Sequence, residues 1–491
     1  MKNKVQLITY VDRLSQHGLD GLLGLFRGAL AGLFGGVHLL PFFHPIDGAD
    51  AGFDPIDHTL VDPRLGTWDD VRVLSQTVSV MADVIVNHVS AKSAEFLDFS
   101  AHGSASKDAG LFLTMDRVFP QGMREEDLLR IYRPRPSLPF TMMPFRDGSR
   151  RVLWTTFTAE QIDIDVLGGA GRDYLQRILT TLGDAGIAMV RLDAAGYAIK
   201  RAGTSCFMLP ETFDFIADLA ARARTLGIEI LVEIHAHFQQ QIEIARHVDR
   251  VYDFALPPLV LHALYQCDAR PLRQWLAISP RNAVTVLDTH DGIGVHDVGA
   301  DRSGPVERPG LLPPHAIDAL VEEIHRRSGG GSRKATGAAA SNLDLYQVNC
   351  TYYDALGGVD RDYLLARAIQ FFAPGVPQIY YVGLLAGRND IDLLHRTGVG
   401  RDINRHYYSE AELSEALRRP IVQQLFDLIR FRNAHPAFDG EFAMPDATDQ
   451  ALCLEWRNGD GAWASLDVDL RSRNASIRWS GSAGEEGQWT L

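Results

Sequence analysis

Asp173–Asp193 reads DYLQRILTTLGDAGIAMVRLD, and it holds one complete repeat of the fold. Leu175, Ile178, Leu179 and Leu182 recur at helical spacing and share one face. Gly183 and Gly186 break that helix, and the continuously apolar Ala188–Leu192 follows as a strand. A strand apolar on both faces belongs to a parallel sheet covered on both sides. The unit then repeats: Glu211–Leu226 predicts a helix, Gly227 stops it, and Ile228–Val232 predicts the next strand.

Working outward, Gln6–Tyr10, Gly36–Phe42, Val78–Asn87, Val251–Leu256, Ala283–Leu287 and Gln378–Val382 complete a set of eight strands. Strands alternating with helices in this number predict an α/β fold, a closed (β/α)8 TIM barrel. Residues 1–87, 167–292 and 357–437 supply the barrel, and two segments interrupt it. Residues 88–166 follow strand three and hold the Pro-rich IYRPRPSLPF (Ile131–Phe140); residues 293–356 follow strand seven and hold SGGGSRKATGAAA (Ser328–Ala340). The second run reads as a flexible loop, since it lacks the GK[ST] and preceding strand of a phosphate-binding P-loop. Residues 438–491 change pattern, with short strands at Leu452–Trp456, Ala464–Val468 and Ala475–Trp479, and predict a small C-terminal antiparallel β domain.

With 48 Lys+Arg against 62 Asp+Glu, the 491-residue chain carries a formal net charge of −14. Such a chain repels phosphate backbones and anionic membranes, so neither nucleic acid nor membrane is an expected partner. The apolar stretch Leu22–Phe43 is broken by Arg27, His38 and Pro41 and reads as a buried helix, turn and strand. Cys206, Cys267, Cys350 and Cys453 are scattered, and Met1–Tyr10 has no signal-peptide core. Both features point to the cytoplasm.

Four strand ends carry polar clusters: Asp83–Asn87–His88, Arg191–Asp193, Glu233–His235 and Asp288–His290–Asp291. Any one of them fits a turn; four at the rim where barrels do their chemistry point to a site. Retaining glycoside cleavage needs a carboxylate nucleophile and a protonated carboxyl about 5–5.5 Å apart. A third carboxylate can steady the positive charge that develops on the sugar. Arg191, two residues before Asp193, is placed to keep a nucleophile ionised. Glu233 lies between the apolar Val232 and Ile234 and is expected to have the raised pKa of an acid. His235 and His237 lack the carboxylate spacing of a zinc site.

In this order the clusters resemble the four signature regions of the α-amylase superfamily of glycoside hydrolases. The resemblance implies Asp193 as nucleophile, Glu233 as acid/base and Asp291 as stabiliser, with His88 and His290 on the sugar ring. Longer stretches are similar to a phosphorylase branch of that superfamily: PIDGADAGFDPIDH (Pro45–His58), AGTSCFM (Ala202–Met208), VYDFALPPLVLHAL (Val251–Leu264), LDTHDGIGV (Leu287–Val295), AASNLDLYQVN (Ala339–Asn349) and GRDINRHYY (Gly400–Tyr408). That likeness implies reversible phosphorolysis of sucrose by inorganic phosphate to α-D-glucose 1-phosphate and fructose, through a β-glucosyl-Asp193 intermediate, without a cofactor. It implies Asp50 and Arg401 on the far glucose hydroxyls, Phe53 as an apolar platform, Arg191 beside the nucleophile, His235 among the substrate-binding residues, and Tyr197 and Gln347 toward the acceptor. Arg135 and Tyr346 are the implied phosphate ligands, with Asp344 beside them and Pro134 and Asp344 favouring a neutral acceptor. No metal is expected, although Asn87 matches a position that some amylase relatives use for calcium. A homodimer stays open. So do a phosphorylase of another α-glucoside (glucosylglycerol, glucosylglycerate or sucrose 6′-phosphate), a hydrolase or transglucosidase, and a carbohydrate-binding scaffold.

Overall fold

Helices that bury a single apolar stripe, alternating with strands that bury both faces, leave the strands one arrangement in which every edge is paired. In the computed structural model, which describes residues 1–491 except 48–50, 135–136, 302–306, 340–346 and 483, eight parallel strands close into a barrel. They are β1 (Gln6–Thr9), β2 (Gly36–Leu39), β3 (Ser79–Ile85), β4 (Ile187–Asp193), β5 (Glu229–Val232), β6 (Arg250–Asp253), β7 (Ala283–Thr285) and β8 (Val376–Tyr380). Each pairs with its neighbours in sequence, and β8 closes on β1.

The helix before β4 spans Gly169–Asp184 and buries Leu175, Ile178, Leu179 and Leu182 on the barrel. Each such side chain contributes roughly 1.5–3 kcal/mol relative to exposure. Gly186 then turns the chain at φ 79°, a conformation only glycine adopts without strain. Leu22–Phe43 is a buried helix, turn and strand as expected, with a helix over Gly18–Arg27 ahead of β2. Among the described residues no helix is long and apolar enough to cross a membrane.

Three expectations need correction. β6 stops at Asp253 rather than Leu256, because Leu256 opens a helix whose first turn holds Pro257 and Pro258. Proline in the first turn starts a helix and cannot donate to a sheet ladder. β8 runs from Val376 to Tyr380 rather than Gln378 to Val382, since Tyr381–Leu384 is already helical. The glycine-rich run is not a loop throughout, for Gly331–Ala339 is a helix. Ala335 is buried with Leu394 and Ile403, and the Ser332 hydroxyl bonds His325 and Ser328, both at 2.7 Å. Tertiary packing overrides the poor helix propensity of its glycines.

The excursion after β3 is closed at its base by pairing of His88–Ser90 with Gln161–Asp163. It carries the hairpin Phe140–Pro144 and Arg150–Trp154. A separate apolar cluster of Leu113, Phe119, Ile131 and Trp154, with Cys206 from beyond β4, steadies it over the barrel mouth. The C-terminal strands run antiparallel in a five-stranded sheet that shares the main core, and the Trp456 indole N–H donates to the Phe372 carbonyl at 2.8 Å.

Candidate active site

Side chains two apart on a strand share a face, so Arg191 and Asp193 of β4 project together. Register places Arg191 directly beside Asp83 of β3, and Asp83 donates nothing but accepts at both oxygens. One oxygen takes an Arg191 Nη1–H and the other the His38 Nε2–H at 2.9 Å. The same guanidinium reaches Asp193 Oδ1 at 3.0 Å through Nη1 and Glu233 Oε1 at 2.9 Å through Nη2. Arg191 is 2% exposed. Burial disfavours its charge, but Glu233, Asp83 and Asp193 outweigh that and hold it firmly protonated. Burial also opposes ionisation of Asp83, yet His38 and Arg191 bring its carboxyl down to about 2.

The apolar environment expected for Glu233 is not found. Val232 and Ile234 are buried in the core, while the Glu233 carboxylate faces Arg191 and, at 3.7 Å, His235 Nε2. Glu233 directly follows β5, and the strand's alternation turns Val232 to the other side, so sequence neighbours do not define the surroundings of a residue at a strand end. Past Asp193 the backbone turns sharply: Ala194 sits at φ 56°, a left-handed conformation that strains a residue bearing a Cβ.

Asp291 lies beyond the end of β7, held by the 400–408 stretch. Asn404 donates to the carbonyls of Thr289 and Asp291 at 2.8 and 3.1 Å, and Arg405 to that of His290 at 2.9 Å. Arg401 pairs with Asp291 Oδ1 at 2.9 Å. Burial raises the Asp291 carboxyl, but Arg401 and the other surrounding cations drive it far below the carboxylate range. His290 is pushed the other way, toward neutrality, by burial. Asp288, from the same cluster, has a different place: it is bound by the buried Arg367 at 2.7–2.8 Å, away from Asp291.

These groups floor a cavity of about 520 Å³. Phe53 and His290 stack at its deep end, rings 4.8 Å apart and 12° from parallel, and His88 Nε2 bonds the Phe53 carbonyl at 3.2 Å. One wall is aromatic: His88, Phe157, Tyr197, Phe207 and Tyr132 follow one another with centroids 4.6–5.4 Å apart. Gly196 permits this, since a Cβ there would lie 2.8 Å from the Phe207 ring. His235, Gln347 and His296 also line the cavity, with Gln347 Nε2 3.5 Å from His235 Nε2. Arg133 and Pro134 line the mouth.

Of the residues expected from sequence, Asp193, Glu233, Asp291, Phe53, His88, Tyr197, His235, His290, Gln347 and Arg401 all line this cavity. Arg191 lies just beneath it. Asp50, Arg135, Asp344 and Tyr346 lie outside the described residues. Missed from the sequence were His38, the binding role of Asp83, Phe157, Phe207, His296 and the buried Asp297. Asp83 and His38 carried a signal, each a polar group inside an apolar run, VSVMADVIVN and GVHLLPF.

Two features bear on metals. The Asn87 oxygen accepts from Lys200 at 2.8 Å; the same ammonium pairs with Asp163 at 2.8 Å and donates to the Tyr197 carbonyl. A side-chain cation thus occupies this oxygen cluster, and a metal ion does not fit beside it. Glu233, His235 and Asp291 bring ligand atoms within 4.8 Å of one another, a convergence invisible from spacing. Arg191 and Arg401 already compensate both carboxylates.

The chain is 63% identical over 481 residues to a sucrose phosphorylase of Agrobacterium vitis, covering 98% of each chain. It is 52% identical over 493 residues to a sucrose phosphorylase of Bifidobacterium adolescentis, covering 99% of this chain and 97% of the other. The solved sucrose 6F-phosphate phosphorylase from Thermoanaerobacter thermosaccharolyticum superposes with a TM-score of 0.91 at 37% identity, covering 100% of this chain and 98% of that one. No protein-family model matches the chain.

Proposed function

The chain belongs to the sucrose phosphorylase family of the α-amylase superfamily, and from that premise we propose that it catalyses phosphorolysis of sucrose to α-D-glucose 1-phosphate and fructose by a retaining double displacement. The observation that carries the chemistry is the single buried guanidinium that holds Asp193 and Glu233 on its two arms at the cavity floor. Asp193 attacks the anomeric carbon while Glu233 gives its proton to the fructosyl oxygen, leaving fructose and a β-glucosyl ester. Phosphate then attacks the same carbon from the vacated side, Asp193 leaves, and the α configuration is restored. Glu233 has less to do in this half, because phosphate brings an ionised oxygen.

Glucose sits between Phe53 and the aromatic wall, with His88, His290, Asp291 and Arg401 on its hydroxyls and Asp50 completing that end. Tyr197, His235 and Gln347 meet the acceptor. Arg135 and Tyr346 are the proposed phosphate ligands and Asp344 a proposed acceptor ligand; they belong in sequence to the two inserted segments, 88–166 and 293–356. The guanidinium fork of an arginine suits phosphate, and an anion approaching a chain of charge −14 needs such a local cation. The four thiols form no disulfide and suit a reducing compartment, so the cytoplasm is the proposed location. A homodimer is the proposed assembly. The test is incubation of the purified chain with sucrose, with and without phosphate. Phosphate-dependent glucose 1-phosphate is the expected product; glucose alone would make it a hydrolase.

A further inference from the structure

Asp297 sits in the short turn His296–Val298, fully buried, and no part of the chemistry above uses it. Its Oδ1 accepts from the Ala236 backbone N–H at 3.1 Å and from Gln241 Nε2 at 2.9 Å. Its Oδ2 accepts from His235 Nδ1 at 3.2 Å. Gly294 makes room, since a Cβ there would lie 2.8 Å from that oxygen. The His235 ring also stacks on Phe254, centroids 3.9 Å apart and 13° from parallel. One face and one nitrogen of the imidazole are therefore committed, and Nε2 faces Glu233 Oε1 at 3.7 Å, the cavity and, at 3.5 Å, the Gln347 side-chain amide, which turns its oxygen to Nε2 once that nitrogen carries a proton.

We propose that Asp297 is a positioning residue that holds His235 with its proton on Nδ1 and lets Nε2 carry a second proton toward the acceptor. This rests on the phosphorolysis reading, in which His235 faces the incoming phosphate. A carboxylate behind a histidine fixes its tautomer and favours the imidazolium. Among the described residues, the charged groups that act most strongly on His235 are Glu233, Asp291 and Asp297. Arg191 compensates the first and Arg401 the second, so Asp297 is the anion that His235 does not share with an arginine. His296 lines the same cavity, and Asp253, at the end of β6, is a neighbour of Asp297 whose carboxyl burial pushes up to about 6. Burial alone would drive His235 neutral; Asp297 is the largest of the influences that raise it instead. An imidazolium Nε2–H is a charge-assisted donor for an attacking phosphate oxygen.

Asp297→Asn keeps the shape and inverts the hydrogen bond. The amide has one oxygen, which Ala236 and Gln241 both claim, so its NH2 turns to His235 Nδ1 and that nitrogen must accept. The neutral ring then carries its proton on Nε2 and gains its second proton only at lower pH. Nitrogen-15 NMR of the full chain should show this tautomer, with the His235 titration displaced downward by a unit or more. The alkaline limb of kcat/KM for phosphate should move to lower pH, with about tenfold loss above it. Fluoride release from α-glucosyl fluoride, which reports formation of the glucosyl ester, should change less than about twofold. In a His235→Gln background the same substitution should add nothing, whereas a structural role would persist there. Unchanged tautomer and pH profile, or an equal loss in that background, would overturn the proposal. Wild type measured first with phosphate separates this from failure of the phosphorolysis reading, which would show as no glucose 1-phosphate at all.

Discussion

Replacing Asp83 by Asn tests whether one buried guanidinium organises both catalytic carboxylates. Asp83 is 0% exposed and gives Arg191 one of its three carboxyl partners, with His38 on its other oxygen. Removing one member of a buried ion pair costs about 3–5 kcal/mol. Asp193 and Glu233 remain to hold Arg191, so the low end, about 3 kcal/mol, is expected. Urea unfolding read by fluorescence and extrapolated to water measures it. The pH dependence gives a second estimate. The Asp83 carboxyl falls from its ordinary 3.8 to about 2 on folding, which is worth about 2 kcal/mol. Because the folded value is the lower one, this stabilisation is complete above about pH 4 and is lost as pH falls toward 2. The gap between wild type and Asp83→Asn should therefore narrow over that window. Turnover should suffer too, since a guanidinium short of one anion draws harder on Asp193 and Glu233. Loss of a charged hydrogen bond worth roughly 1.5–3 kcal/mol implies a ten- to hundredfold fall in kcat. A midpoint and kcat both within error of wild type would refute the reasoning.

Asp193→Asn should lose at least about three orders of magnitude in kcat on sucrose, because an amide forms no glycosyl ester; activity within tenfold of wild type would show the nucleophile to be elsewhere. Glu233→Gln should cripple sucrose cleavage while sparing α-glucosyl fluoride, whose leaving group needs no proton, and equal losses on both donors would count against an acid role. Chelation by EDTA should leave activity and melting temperature unchanged, because Lys200 occupies the Asn87–Asp163 oxygen cluster; a metal-reversible loss would contradict that. Arg135→Ala should raise the KM for phosphate about ten- to a hundredfold and divert glucosyl groups to water, read as the glucose 1-phosphate to glucose ratio; coincident ratios at all phosphate concentrations would place the phosphate site elsewhere.

The barrel was legible because its signals are local. Helical stripes such as Leu175–Leu182, stops such as Gly186 and strands buried on both faces repeat along the chain, and closure is the arrangement of eight such units that leaves no edge. The catalytic carboxylates were legible for the same reason: Asp193 and Glu233 end their strands or directly follow them, at the rim where barrels place chemistry. Element ends were less so, because Leu256 and Tyr381 begin helices inside apolar runs that read equally as strand.

What only the tertiary structure decided is how those residues are charged and aimed. Asp83 and Arg191 are 108 positions apart and meet through the register of two neighbouring strands. Asp297 reaches His235 across 62 positions, and Lys200 reaches Asn87 across 113. No spacing rule covers such pairs, since strand register in the first case and the packing of loops beyond the strands in the other two bring the partners together. The sequence therefore determined which chemical groups stand at the rim. Closure of the barrel, and the loops folded over it, decided that Glu233 faces an arginine rather than an apolar wall, that an ammonium fills the Asn87 cluster, and that a buried carboxylate stands behind His235. Burial and proximity set protonation, and both are properties of the folded chain.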